Sequence, residues 1–120
     1  MIYTTTAWSK VRAYDAVTGR QIWAYDPQVP GDWGVRACCD VVNRGLAMWK
    51  GKVYLGTLDG RLIALDAQTG KPVWTTRTFG TNTSYASTGA PRVVKGRVII
   101  GTGGASEGWP SLFEGSPGTV

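Results

Sequence analysis

The sequence predicts an all-β protein built from repeated antiparallel sheets, and two observations carry that prediction. The first is a duplicated segment. Ala13-Tyr14-Asp15-Ala16-Val17-Thr18-Gly19-Arg20-Gln21-Ile22-Trp23 returns as Ala64-Leu65-Asp66-Ala67-Gln68-Thr69-Gly70-Lys71-Pro72-Val73-Trp74, with Ala, Asp, Thr, Gly and Trp at matching positions and a constant offset of 51. The second is a run of short β-branched and aromatic stretches punctuated by turn residues, with no helical periodicity anywhere. Repeats of about this length mark stacked or radially arranged sheets. A chain of 120 residues holds roughly two or three four-stranded blades of such an array.

The elements follow in order. Ile2-Tyr3-Thr4-Thr5-Thr6 is a strand and aligns with Val53-Tyr54-Leu55-Gly56-Thr57 at the same offset. Asp59-Gly60 is a hairpin signal before the next strand, Leu62–Asp66; Trp8-Ser9 holds that place in the first copy, ahead of Val11–Asp15. The Asp-x-x-Thr-Gly segment supplies the following turn. Its carboxylate accepts backbone N–H groups just ahead of it, and its glycine takes a positive φ. The chain then re-enters a strand at Gln21–Trp23 or Pro72–Trp74. Gly45–Trp49 and Pro91–Val94 are strands that complete the pattern, and Gly51-Lys52 is a turn signal. A third copy opens at Lys95-Gly96-Arg97-Val98-Ile99-Ile100-Gly101-Thr102 and parallels Lys50–Thr57, but its Asp-x-x-Thr-Gly half never arrives. Trp23 and Trp74 are expected to be buried between sheets, each indole N–H reaching a backbone carbonyl.

The bulk properties narrow the classes. The net charge is +5, from 13 basic and 8 acidic residues, but the basic residues are scattered, which speaks against a nucleic-acid footprint. No apolar run is long enough for a membrane span. The strand at residue 2 and the unfinished third copy lead us to expect a fragment of a larger protein. The fold expected for an isolated piece of this kind is marginal, with sheet edges and an apolar face uncovered.

Between the two copies stands Cys38-Cys39. Taken alone, adjacent cysteines are either buried free thiols or a strained disulfide ring. Their surroundings are more informative. The segment Ala37-Cys38-Cys39-Asp40-Val41-Val42-Asn43-Arg44-Gly45 resembles the vicinal-disulfide segment of the methanol and alcohol dehydrogenases that use pyrroloquinoline quinone (PQQ). The Ala-x-Asp-x-x-Thr-Gly-x-x-x-Trp repeats are similar to the tryptophan-docking motif of those eight-bladed β-propellers. Asp26–Gly31 and Gly56–Arg61 look most like the alcohol-dehydrogenase branch, which includes quinohaemoproteins.

The resemblance covers residues 1–105, a partial PQQ-dehydrogenase propeller of about two blades, and leaves 106–120 as a divergent tail. It implies an oxidoreductase that converts primary alcohols to aldehydes by hydride transfer to PQQ, assisted by Ca²⁺ or a lanthanide. It implies a Cys38–Cys39 disulfide lying against the cofactor. Arg44 matches the arginine that contacts PQQ, Thr88 a threonine that bonds a PQQ carboxylate, and Gly104 and Ala105 a backbone run against the ring. A glutamate metal ligand is expected directly after Gly-Ala; Ser106 stands there, with Glu107 one residue late, so this chain carries no assigned metal ligand. A frame shift or truncation near Ser106 is one expectation for that departure. The catalytic aspartate belongs to later blades, so no catalytic residue is assigned here and the isolated chain is expected to be inactive. The resemblance further implies a periplasmic location, a cytochrome c acceptor and, in some relatives, a haem c domain, although no haem-attachment motif occurs in this chain. The alternative is a non-catalytic propeller of the same repeat type that scaffolds assembly in the cell envelope. That alternative accounts for the repeats but not for Cys38-Cys39 with Arg44 and Thr88.

Overall fold

The computed structural model describes residues 1–31, 42–78, 85–104 and 111–115. Eleven strands form three antiparallel sheets. Sheet 1 is β1 (Ile2–Thr6), β2 (Lys10–Tyr14) and β3 (Gln21–Tyr25), in that order. Sheet 2 is a complete four-stranded meander of β4 (Ala47–Trp49), β5 (Lys52–Gly56), β6 (Arg61–Asp66) and β7 (Pro72–Arg77). In sheet 3, β10 (Arg97–Gly104) pairs with β8 (Tyr85–Ala86), β9 (Arg92–Val94) and β11 (Ser111–Gly115). Ala7–Ser9 forms a single 3₁₀ turn.

The duplicated segment folds the same way twice, down to its hydrogen bonds. In the first copy Asp15 Oδ1 accepts the N–H groups of Val17 (2.7 Å) and Thr18 (3.2 Å), and the Asp15 carbonyl accepts Gly19 N–H at 2.8 Å. In the second, Asp66 Oδ1 accepts Gln68 (2.8 Å) and Thr69 (3.2 Å), and its carbonyl accepts Gly70 at 2.8 Å. Thr18 and Thr69 each turn a hydroxyl onto the N–H two residues ahead, at 3.2 and 3.3 Å. Each Asp, Thr and Gly of the motif is thus spent on closing the turn. The alanine has a different reason. Ala13 lies opposite Trp23, and Ala64 opposite Trp74, in the strand register. Both alanines are fully buried, so a larger side chain would compete with the indole for the same space. The register slips one residue past each alanine, at Ala13/Tyr14 and at Ala64/Leu65.

The two-residue turns Lys50-Gly51 and Lys95-Gly96 have positive φ at both positions, the hairpin geometry that matches strand twist. The turn signal read at Gly51-Lys52 therefore sits one residue earlier. The Asp59-Gly60 hairpin has three loop residues rather than two. Gly60 N–H bonds the Thr57 carbonyl (3.0 Å), Thr57 N–H bonds the Arg61 carbonyl (2.8 Å), and Gly60 takes φ +86°.

Side-chain alternation assigns the layers. In β6, Ile63 and Leu65 face sheet 1, where they pack with Leu55, Val11, Ala13 and Trp23. Leu62 and Ala64 face the other way and pack with Tyr54, Val98 and Ile100. Sheet 2 is therefore covered on both faces, and Val53–Gly56 of β5 and Leu62–Leu65 of β6 are buried without interruption. Strand β2 has one buried face and alternates accordingly. Strands β4 and β9 lie against each other, which brings sheets 2 and 3 together along one edge.

Trp23 joins sheet 1 to sheet 2. Its indole N–H donates to the Ala67 carbonyl at 3.0 Å, and the Tyr3 hydroxyl donates to the same oxygen at 2.8 Å. The ring rests on Gly70, where an added Cβ would fall 2.5 Å from the indole Cδ2 and Cε3. Trp23 is buried, as expected. Trp74 is half-buried: it packs against the second core and stands 5.9 Å from Tyr54, centroid to centroid. At the far side of sheet 1, Met1, Ile2, Val17 and Ile22 are exposed apolar side chains.

Strand β11 and the short β8 were not anticipated. Ser111–Gly115 pairs with Val98–Thr102 in spite of the irregular sequence before it, because the exposed edge of β10 offers a ready ladder.

Gly70 and Gly19 share φ +75°, but nothing lies within 4 Å of a Cβ built on Gly19. Gly19→Ala is therefore expected to cost about 1 kcal/mol of stability, the backbone term alone. Gly70→Ala is expected to cost about 2–3 kcal/mol, because the docked indole must also move. Urea unfolding midpoints of the two variants check the difference. A second expectation concerns pH. The Asp15 carboxyl is held below its ordinary value, first by the Val17 N–H and then by the Thr18 N–H. A depressed folded-state pKa means that the turn is stabilised above the usual carboxylate range and loses that support as pH falls through the lowered value. The Val17 and Thr18 amide shifts in NMR should titrate in that acid window, and Asp15→Asn should abolish the titration.

Candidate functional site

The three sheets have two distinct ends. One carries the Asp-x-x-Thr-Gly turns and the Trp23 dock. The other gathers the end of β1, the lead into β4, the β5–β6 hairpin, the segment after β8 and the end of β10. The predicted cofactor contacts that fall on described residues lie at this second end.

Arg44 and Thr88 are brought together there from 44 positions apart. Arg44 N–H donates to the Thr88 carbonyl at 2.9 Å, and the Arg44 guanidinium Nη1 donates to the Thr88 hydroxyl. The guanidinium is exposed, and among the described residues no carboxylate pairs with it. A planar fork of donors beside a hydroxyl suits a ligand that bears carboxylates. Gly104 lies at the end of β10, opposite Tyr85 in the register, and Gly103 opposite Ala86. Cys38, Cys39, Ala105, Ser106 and Glu107 lie outside the described residues. Among the described residues, no cluster of three or more His, Cys, Asp or Glu side chains is arranged to hold a metal ion.

The Arg44–Thr88 pair rests on a rigid support. Ser87 is buried, donates its N–H to the Leu58 carbonyl at 3.3 Å and turns its hydroxyl onto the Gly101 carbonyl at 3.2 Å. Leu58 N–H donates to the buried Ser9 hydroxyl at 3.0 Å. The two polar groups of one peptide residue are thereby held from sheet 1 on one side and from the β8–β9 segment on the other. Gly56 closes the gap between sheets 2 and 3: a Cβ there would lie 2.2 Å from Ile100 Cδ1.

A charged hub organises the hairpin tip. Asp59 is 5% exposed and receives the Thr57 hydroxyl at 2.5 Å and Arg61 Nε at 3.1 and 3.0 Å on its two oxygens. Arg61 Nη2 reaches the Pro27 carbonyl at 2.7 Å, and Arg77 Nη2 reaches the Asp59 carbonyl at 2.7 Å. Arg61 thus ties the hairpin to the segment that leads toward Cys38-Cys39. Asp59 and Arg61 were read in the sequence as turn and surface residues. The Asp59–Arg61 pair closes within two residues, but its links to Pro27 and Arg77 join distant positions, so only an Asp and an Arg two residues apart on a hairpin were available as a signal.

Comparison with known proteins fits this arrangement. Residues 1–111 match the PQQ family model described as glucose/ethanol/alcohol dehydrogenase, beta-propeller domain. The chain belongs to this family of PQQ β-propellers. It is 59% identical over 109 residues to the quinohemoprotein alcohol dehydrogenase of Comamonas testosteroni, which covers 90% of this chain and 15% of that protein. It is 57% identical over 123 residues to the quinohemoprotein alcohol dehydrogenase ADH IIB of Pseudomonas putida, covering all of this chain and 18% of the relative. The chain spans less than a fifth of the length of these relatives. Among solved structures, the Comamonas testosteroni enzyme superposes with a TM-score of 0.82 at 52% identity, over 92% of this chain and 19% of that one. A europium-containing methanol dehydrogenase gives 0.86 at 38% identity, over 95% and 20%. BamB from Moraxella catarrhalis gives 0.64 at 25% identity, over 92% and 36%. The three sheets are therefore consecutive parts of a β-propeller, with sheet 2 the complete blade.

The hub makes a testable claim on this PQQ propeller. Asp59→Ala removes the acceptor for Arg61 and Thr57 inside a buried turn and is expected to destabilise by about 2–3 kcal/mol. Asp59→Asn, which keeps one acceptor oxygen, is expected to cost less than half of that. Chemical denaturation of the two variants under identical conditions decides between this and a merely solvated turn, for which both would be near zero.

Proposed function

We propose that this chain is part of a PQQ-dependent dehydrogenase that oxidises primary alcohols to aldehydes, and that it forms one wall of the cofactor site. The observation that carries this reading is the Arg44–Thr88 pair, assembled by the fold at one end of the blades. The family match and the relatives named as alcohol dehydrogenases support it. The two dehydrogenase structures match at higher identity and TM-score than BamB does, which supports the dehydrogenase reading.

The residues present fit a planar, carboxylate-bearing quinone. Arg44 donates a charged pair of N–H groups to a carboxylate or quinone oxygen, and Thr88 adds a neutral donor beside it. Gly104 and Ala105 would offer backbone to the ring, with no side chain on the glycine to obstruct it. Cys38 and Cys39 would hold one face of the ring as a disulfide. When bound, the quinone supplies the two-electron acceptor for the alcohol, with Ca²⁺ or a lanthanide as the Lewis acid. The protein's part at this wall is to orient the ring and to neutralise its charge. The base that takes the alcohol proton and the metal ligands belong to parts of the propeller beyond this chain, and Ser106 replaces the carboxylate expected at one ligand position. The isolated chain therefore has no turnover of its own. The whole protein works in the periplasm and passes electrons to a cytochrome c or to a haem c domain; one relative is named 1-butanol dehydrogenase (cytochrome c).

The test is cofactor binding to the full-length apoenzyme, measured by equilibrium dialysis. Arg44→Lys keeps the charge and loses the fork, and is expected to weaken PQQ binding by about tenfold. Mass spectrometry of the non-reduced protein is expected to find neither Cys38 nor Cys39 as a free thiol. Unchanged PQQ affinity in Arg44→Lys, or saturable alcohol oxidation by the 120-residue chain alone, would sink the reading.

A further inference from the structure

Asn43 precedes Arg44, and three hydrogen bonds hold it. Its side-chain Nδ2 donates to the Gly56 carbonyl at 2.9 Å. Its Oδ1 accepts the Gly45 N–H at 3.0 Å. Its own carbonyl accepts the Thr5 hydroxyl at 3.3 Å. The Asn43 side chain therefore fixes the peptide group after Arg44, while the one before it is held by the Thr5 hydroxyl and by the Thr88 carbonyl, which accepts Arg44 N–H at 2.9 Å. Resting on the reading of Arg44 as a PQQ contact, we propose that Asn43 is the positioning residue for the Arg44 guanidinium.

The site needs a donor aimed at Gly56 and an acceptor aimed at Gly45 within one short planar group, and an amide is the side chain that has both. Aspartate has the shape but no donor, and it would set a charged oxygen against the Gly56 carbonyl. Serine keeps an acceptor for Gly45 and lacks the length to reach Gly56. The anchor itself is stiff, since Gly56 sits where Ile100 leaves no space for a Cβ. The Thr5 bond refers the same loop to sheet 1. An exposed arginine otherwise loses rotamer freedom when it is immobilised on a ligand. Fixing its backbone and seating its guanidinium on Thr88 removes part of that cost before the ligand arrives.

The experiment uses the full-length apoenzyme with PQQ as the probe. It compares wild type, N43D, R44K and the double variant by equilibrium dialysis, with hydrogen exchange of the peptide spanning 42–46 read by mass spectrometry. N43D is expected to weaken PQQ binding about tenfold and to speed exchange in 42–46, leaving the peptide spanning β5–β6 as protected as before. The double variant is expected to bind within about twofold of R44K, because both changes act through one guanidinium. Wild-type affinity in N43D alongside a weakened R44K would overturn the role of Asn43 alone, and so would losses that multiply in the double variant. Wild-type affinity in R44K would overturn the PQQ reading of Arg44 and this inference with it. Should N43D fail to fold, N43S carries the same comparison with the same outcomes.

Discussion

One carbonyl oxygen holds the first two sheets together. Ala67 accepts both the Trp23 indole N–H and the Tyr3 hydroxyl, while the indole lies flat on Gly70. Burial, with the Asp66 carboxylate adding to it, raises the Tyr3 pKa, so the phenol stays a donor at any ordinary pH. The Asp66 turn is what presents this carbonyl. Its aspartate, threonine and glycine close the loop on itself, and the loop then offers its outer surface to a tryptophan from the neighbouring sheet. A motif that looks like a turn signature is thus half of an interface, and its tryptophan is the other half.

That contact sits at the end opposite the candidate site, and the separation has a physical sense. At the docking end the turns close by bonds within the motif, and the long-range bonds converge on one carbonyl beside apolar packing. The site end is held by polar bonds between distant segments: Ser9 and Ser87 on the two sides of Leu58, Asn43 on Gly56, and Arg61 on Pro27. These bonds are directional and fix positions, whereas apolar packing mainly supplies cohesion. A cofactor wall that must present a guanidinium and a hydroxyl side by side needs the first kind of constraint.

The relatives place this arrangement in a family without transferring every feature. The match runs through the blades described here, with TM-scores of 0.82 and 0.86 against two dehydrogenase structures. The chain occupies less than a fifth of the curated relatives' length. What it shows directly is one complete blade, parts of two others and one donor pair. The alcohol chemistry, the metal and the electron acceptor follow from the proposed reading of that pair.

The sequence by itself determined whatever depends on near neighbours. The Asp-x-x-Thr-Gly turns were legible because their bonds close within the motif, and the main strands because their residue types suit a pleated surface. The resemblance also named Arg44 and Thr88, although nothing in their local sequence shows that they touch. Tertiary structure alone decided the rest. Sheet 2 lies in the middle because both faces of β5 and β6 find apolar partners. Strand β11 forms because β10 has an edge to pair with, not because Ser111–Gly115 has a strong pattern of its own. Trp74 is half-buried against the second core, whereas Trp23 is received by Ala67 and Gly70. Asn43, Asp59 and Arg61 are tied to partners 13 to 38 positions away. Long-range hydrogen bonds leave no local trace in a sequence, since the residue types that make them are the same ones that decorate any exposed turn.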